Sequence, residues 1–107
     1  TIADNASSAG WVLGAGRVSP KDIDICNIDA VLTRNGEVVA EGRSDAVLGN
    51  PVTAVAWLAR KVDSFGVRLR AGDIVLPGSC TKAIDARAGD VFVAEFAGLG
   101  SVRLSFE

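Results

Sequence analysis

Between Pro51 and Phe65 the apolar residues fall at Val52, Val55, Ala56, Leu58, Ala59 and Val62, with Arg60, Lys61 and Asp63 mostly opposite. That is the spacing of one broad helical face. Asn50, just before the run, can cap it by offering its side-chain oxygen to a free N–H. Pro51 suits the first helical position because it has no N–H to leave unpaired. Gly66 suits the far end, where a left-handed residue closes the last turn. The pattern predicts one main helix over about 51–64, packed on something apolar.

Elsewhere the period shortens toward two. In "DAVLTRNGEVVAEG", Asn35-Gly36 separates two runs rich in Val and Leu, and both central residues of a type I′ turn need positive φ, which Asn and Gly tolerate best. This predicts antiparallel pairing of 28–34 with 37–43, a β-hairpin at 28–43. "RAGDIVL" at 70–76 returns as "RAGDVFV" at 87–93, and the shared Ala-Gly-Asp predicts two tight turns, each feeding a strand. "AEFAGLGSVRLSFE" gives a strand, a turn at Gly98-Leu99-Gly100, and a strand in which Val102, Leu104 and Phe106 alternate with Arg103 and Ser105. "LGAGRVSPKDID" reads as a loop. No linker or low-complexity tract divides the chain. The expectation is an α+β, mostly β fold in a single unit spanning 1–107.

Composition narrows the function classes. The chain has 107 residues, 49% of them hydrophobic, and a formal charge of −2, which fits one modest globular domain. No stretch concentrates Lys and Arg, so nucleic acid is excluded as an expected partner. The apolar runs are short and interrupted and no secretory leader stands at the start, so the expectation is no membrane span and a cytoplasmic address. Cys26 and Cys80 are too few for a disulfide framework and read as reduced thiols. There is no histidine, which removes the commonest general base and the commonest transition-metal ligand.

Four clusters carry candidate chemistry. "ADNASS" brings together Asp4, Asn5, Ser7 and Ser8, groups that could orient an oxygen-rich ligand and that equally make a good turn. "SPKDIDICNID" holds Asp22, Asp24 and Asp29; Asp22 and Asp24 would share a face of a strand, yet no Gly-turned cation loop surrounds them, and a solvated face is the expected reading. "GAG" at 14–16 and "GLG" at 98–100 lack the third glycine and the helix of a dinucleotide loop and read as turns. In "VLPGSCTK", residues 75–82, Gly78 permits close backbone approach, and Ser79 and Thr81 could donate to a carboxylate or phosphate. Lys82 reads as solvated, and Cys80 has no histidine partner to activate it. Spacing alone leaves that cluster undecided.

The segments "IADNASSAGWVLG", "VLTRNGEVVAEGRSDAVLGNPVTAVAWLARKV", "LRAGDIVLPGS" and "AGDVFVAEFAGLGSVRLSFE" together resemble the C-terminal part of the 2-keto-4-pentenoate (2-hydroxypenta-2,4-dienoate) hydratases of the fumarylacetoacetate hydrolase superfamily. "GNPVTAVAWLA" and "RAGDIVLPGS" are the most specific parts. The resemblance implies a mixed β-roll of the fumarylacetoacetase C-terminal type, a homo-oligomer, and a divalent cation, Mg²⁺ or Mn²⁺, that chelates a small 2-keto or 2-hydroxydienoate acid. It implies hydration of 2-hydroxypenta-2,4-dienoate to 4-hydroxy-2-oxopentanoate in meta-cleavage degradation of aromatic or steroid compounds. A related 4-oxalocrotonate decarboxylase, and a non-catalytic fragment or subunit, are the alternatives. By the same resemblance Asp4, Asn5, Ser7, Gly78 and Ser79 become pocket-wall residues. The family's cation ligands come mainly from a Glu-x-Glu motif and a further acidic residue; this chain has no Glu-x-Glu, so those ligands are expected upstream, with the general acid and base unassigned.

Overall fold

The computed structural model describes residues 8–107. Strands β1 (Asp29–Arg34), β2 (Glu37–Arg43), β3 (Val91–Phe96) and β4 (Gly100–Ser105) form one sheet in the order β2-β1-β3-β4, every neighbouring pair antiparallel. Helix α1 spans Pro51–Asp63, and short 3₁₀ turns occupy Ile25–Asn27 and Ser44–Ala46. The expected α+β, mostly β class is what forms, and both hairpin and helix lie within a residue of their predicted limits.

The local chemistry works as anticipated. Asn35 (φ 53°) and Gly36 (φ 85°) make the left-handed corner between β1 and β2. Asn50 accepts the Val52 N–H at 2.9 Å and caps α1, with Pro51 in the first turn. At the other end Val67 N–H reaches the Val62 carbonyl at 3.0 Å and Gly66 N–H reaches Asp63 at 2.9 Å. With Gly66 at φ 75° this is a Schellman closure.

The repeated Arg-Ala-Gly-Asp turns share one bonding pattern. Asp73 and Asp90 each receive the backbone N–H of the arginine three residues earlier, at 2.7 and 3.0 Å, and each returns its own N–H to that arginine's carbonyl at 3.0 Å. Only the second turn feeds a ladder: Val91 opens β3, whereas 74–79 has no ladder partner among the described residues. The strand predicted after the first turn is therefore corrected to an unpaired extended segment. The expected loop at 13–24 contains no strand.

Register sorts the sheet into two faces. Ala30 pairs with Gly42 and Phe96, Leu32 with Ala40 and Ala94, Ala94 with Val102, and Phe92 with Leu104; period-two alternation puts all of these on one inner face. Phe92 and Phe106 meet edge to face with ring centres 5.8 Å apart. The outer face carries Val31, Thr33, Glu41, Glu95, Ser101 and Arg103. A bulge between Leu32 and Thr33 leaves one extra residue on β2.

The inner face is thinly covered. Among the described residues, Ile28, Ala30, Ala40 and Pro51 are the buried apolar ones, while Trp11, Val52, Trp57, Leu69, Ile74 and Leu76 are exposed. Accessible surface is 8085 Å², against about 5,600 Å² for a compact monomer of this mass. The radius of gyration is 14.9 Å, against about 13 Å for a compact domain of this length. Both quantities describe loose packing, with α1 beside the two 3₁₀ turns rather than across the sheet and large apolar side chains of the helix and the extended segment left exposed. No helix among the described residues is long and apolar enough to cross a membrane.

Candidate functional site

A groove of about 670 Å³ runs between α1 and the extended segment that follows the first Arg-Ala-Gly-Asp turn. Ala54, Trp57 and Leu58 supply the helix side, Leu69 and Asp73 to Pro77 the other side, and Ser8, Ala9 and Trp11 close it. The helix presents this wall because its apolar residues recur at intervals of three and four. The groove thus brings the end of the "ADNASS" cluster, at Ser8, to the same cavity as Pro77, the residue before Gly78. Asp4, Asn5 and Ser7 lie outside the described residues.

Beyond Pro77 the chain turns onto the sheet. Gly78 sits at φ 145°, and a Cβ there would lie 3.2 Å from Val47 Cγ1. The exposed Ser79 hydroxyl donates to the Thr81 carbonyl at 2.7 Å and accepts the Thr81 N–H at 3.3 Å. These two bonds close the loop locally. To donate to a ligand oxygen, that hydroxyl has to release the Thr81 carbonyl, since a serine has one proton to give. Cys80 and Cys26 are free, half-buried thiols, and Lys82 is exposed.

The segment beneath this loop is tied down. Ser44 N–H donates to the Ile28 carbonyl at 2.9 Å, and Ile28 N–H returns to Ser44 Oγ at 2.9 Å. Arg43 pairs with Asp45; their shared hydrogen bond holds the Asp45 carboxyl below its ordinary value and raises the Arg43 guanidinium. Leu48 (φ 55°) and Gly49 (φ 74°) then turn left-handed into the Asn50 cap. Such a conformation is unusual for leucine. Gly42, Val47 and Leu48 escaped the reading of the sequence; a glycine inside an otherwise good strand is the one signal there that points to a close approach of another backbone.

A second concavity of about 490 Å³ lies across the ends of β1, β3 and β4 and includes Asp29, Glu95 and Ser101. Asp24 is spent on capping: it accepts the Cys26 N–H at 3.1 Å and the Asn27 side-chain N–H. Asp22 and Asp24 sit in turns, exposed, so they share no strand face. Among the described residues no three His, Cys, Asp or Glu side chains converge where they could hold a cation. The donor set of the described residues does not fit a divalent metal.

An antiparallel sheet flanked by a single capped helix, with a Gly-Ser loop folded onto the sheet, defines a recognised class. All of residues 1–107 match the fumarylacetoacetate (FAA) hydrolase C-terminal family, and the chain belongs to it. Within that family it is similar to a 2-keto-4-pentenoate hydratase of Paraburkholderia phymatum, 47% identical over 99% of this chain and 40% of the relative. A 4-oxalocrotonate decarboxylase of Pseudomonas putida is 37% identical over 98% of this chain and 40% of its own. The solved 4-oxalocrotonate decarboxylase of Pseudomonas putida G7, complexed with magnesium and adipate, superposes with a TM-score of 0.90 at 38% identity, covering 99% of this chain and 40% of that one; the same enzyme complexed with calcium and acetate gives 0.91. The chain therefore spans about 40% of the length of the relatives it matches.

Proposed function

We propose that residues 1–107 form the C-terminal portion of a longer hydratase that converts 2-hydroxypenta-2,4-dienoate to 4-hydroxy-2-oxopentanoate in the catabolism of aromatic or steroid rings. The observation that carries the reading is similarity along the whole of this chain, at 44–47% identity, to several proteins named 2-keto-4-pentenoate hydratase. The exposed Trp11, Trp57, Ile74 and Leu76 and the small buried core support a larger protein, because such apolar surface needs a further layer to cover it. In that enzyme the dienol is protonated to an unsaturated 2-keto acid and water adds at C4.

This portion contributes binding and orientation. Ser79 Oγ, released from the Thr81 carbonyl, donates to the carboxylate or 2-oxo oxygen of the substrate, and Gly78 lets the backbone approach it. In this reading Asp4, Asn5 and Ser7 also contribute to substrate binding. The ligands of the divalent cation, Mg²⁺ or Mn²⁺, belong to residues outside this portion. The protein is a homo-oligomer of cytoplasmic address in this reading.

A second reading is 4-oxalocrotonate decarboxylase, favoured by the two superposed structures. The complete enzyme, purified and supplied with Mg²⁺, separates them. Loss of dienol absorbance from 2-hydroxypenta-2,4-dienoate without CO₂ is the expected result. Stoichiometric CO₂ from 4-oxalocrotonate, with the dienoate untouched, overturns hydration.

A further inference from the structure

Gly42 is a glycine for want of space rather than for backbone freedom. It lies inside β2, paired with Ala30, and is absent from the residues of positive φ. A Cβ built on it would collide with the Cys80 carbonyl oxygen and stand 2.8 Å from the Cys80 carbonyl carbon and 3.1 Å from Thr81 Cγ2. The first two are backbone atoms, which no rotamer change can withdraw. The loop after Pro77 therefore rests directly on the sheet at Gly42. Its start rests on Val47, whose methyls face Gly78. Both seats belong to one short stretch of chain, fastened to Ile28 by the reciprocal Ser44 bonds.

We propose that Gly42 is a positioning residue for the reaction. By admitting the Cys80 carbonyl into contact with β2 it sets the height of the loop above the sheet, and with it the place of the Ser79 hydroxyl. The inference rests on the reading that Ser79 contacts substrate. Any side chain at this position lifts the loop by about an ångström, a displacement that typically costs up to a hundredfold when it falls on a binding group.

The test uses the complete enzyme with Mg²⁺ and the dienoate. Gly42→Ala, Ser79→Ala and the double variant are compared for kcat and KM, with iodoacetamide labelling of Cys80 followed by peptide mass spectrometry. Gly42→Ala is expected to lower kcat/KM by up to about tenfold, no more than Ser79→Ala itself, divided between kcat and KM as in Ser79→Ala. Adding Ser79→Ala should then cost nothing more, and Cys80 should label several-fold faster. Losses that multiply in the double variant, or wild-type kinetics for Gly42→Ala beside an impaired Ser79→Ala, overturn the role of Gly42 alone. Wild-type kinetics for Ser79→Ala removes Ser79 from the site and Gly42 with it. If Gly42→Ala does not accumulate, Val47→Ala, which removes the other seat, should raise KM and Cys80 labelling together; no change in either overturns the proposal.

Discussion

Asn35 is bonded to the start of β3 three times over: its N–H donates to the Val91 carbonyl at 2.8 Å, its side-chain oxygen accepts the Val91 N–H at 2.9 Å, and its side-chain nitrogen donates to Asp90 at 2.9 Å. One turn residue thus serves the corner of one hairpin and the pairing of another. Asn35→Ala should destabilise the protein by about 2 kcal/mol, combining two lost side-chain hydrogen bonds with a left-handed alanine. Asn35→Gly, which keeps the turn, should recover part of that loss. Urea unfolding should show both as lower midpoints at unchanged slope.

The same contact sets a pH dependence. The Asn35 side chain, and next the Arg87 N–H, hold the Asp90 carboxyl below its ordinary value, as Arg43 does for Asp45. Between the depressed folded value and the ordinary one the unfolded chain binds more protons, so unfolding free energy rises with pH there. The contribution is complete above about pH 4, the range of a free aspartate, and is lost as pH falls through the folded values. Asp90→Asn should flatten the acid limb of a stability-versus-pH curve. Added salt should change the difference little, because the leading causes at Asp90 are hydrogen bonds from neutral donors rather than ion pairs.

Ser79→Ala in the complete enzyme should reduce kcat/KM by about tenfold, or roughly 1.4 kcal/mol, the lower range for one charge-assisted hydrogen bond. The value is modest because the hydroxyl gives up its bond to the Thr81 carbonyl to make one to substrate, so part of the gain is offset. Steady-state kinetics on the dienoate check it; an unchanged kcat/KM excludes the contact.

Asp22→Asn combined with Asp24→Asn should leave the Mg²⁺ concentration for half-maximal activity unchanged. Asparagine can still cap the turn at Ile25–Asn27, and neither carboxylate joins a ligand cluster among the described residues. A Mg²⁺ titration of turnover gives the answer directly.

The elements legible in the sequence are those whose instructions are local. Asn35-Gly36 forces its own turn, Asn50-Pro51 starts its own helix, and Gly66 ends it, each through groups within a few residues. The seating of Cys80 on Gly42 could not be read, because steric exclusion between two backbones distant in sequence leaves only a glycine in a strand, which signals a close approach without naming its partner. The twin Arg-Ala-Gly-Asp turns mark the boundary between these cases. Both form as turns, as the sequence predicts, with the same bonding pattern; whether a ladder follows depends on a partner, which β3 finds in β1 and β4 and residues 74–79 do not find among the described residues. For the site, resemblance directed attention to Gly78 and Ser79, whereas the surface that supports them emerged only in three dimensions.

The sheet's order also carries a kinetic meaning. β1 with β2, and β3 with β4, are hairpins closed by short turns, while the central β1–β3 pairing joins residues such as Asn35 and Val91, 56 positions apart. Short loops close fast and long ones late, since closure entropy is lost before distant contacts can repay it. On that ground the two hairpins are expected to form first and the β1–β3 seam to be the step that commits them. The triple bond from Asn35 stands at one end of that seam, so loosening it acts on how quickly the halves join or part as well as on how firmly they hold.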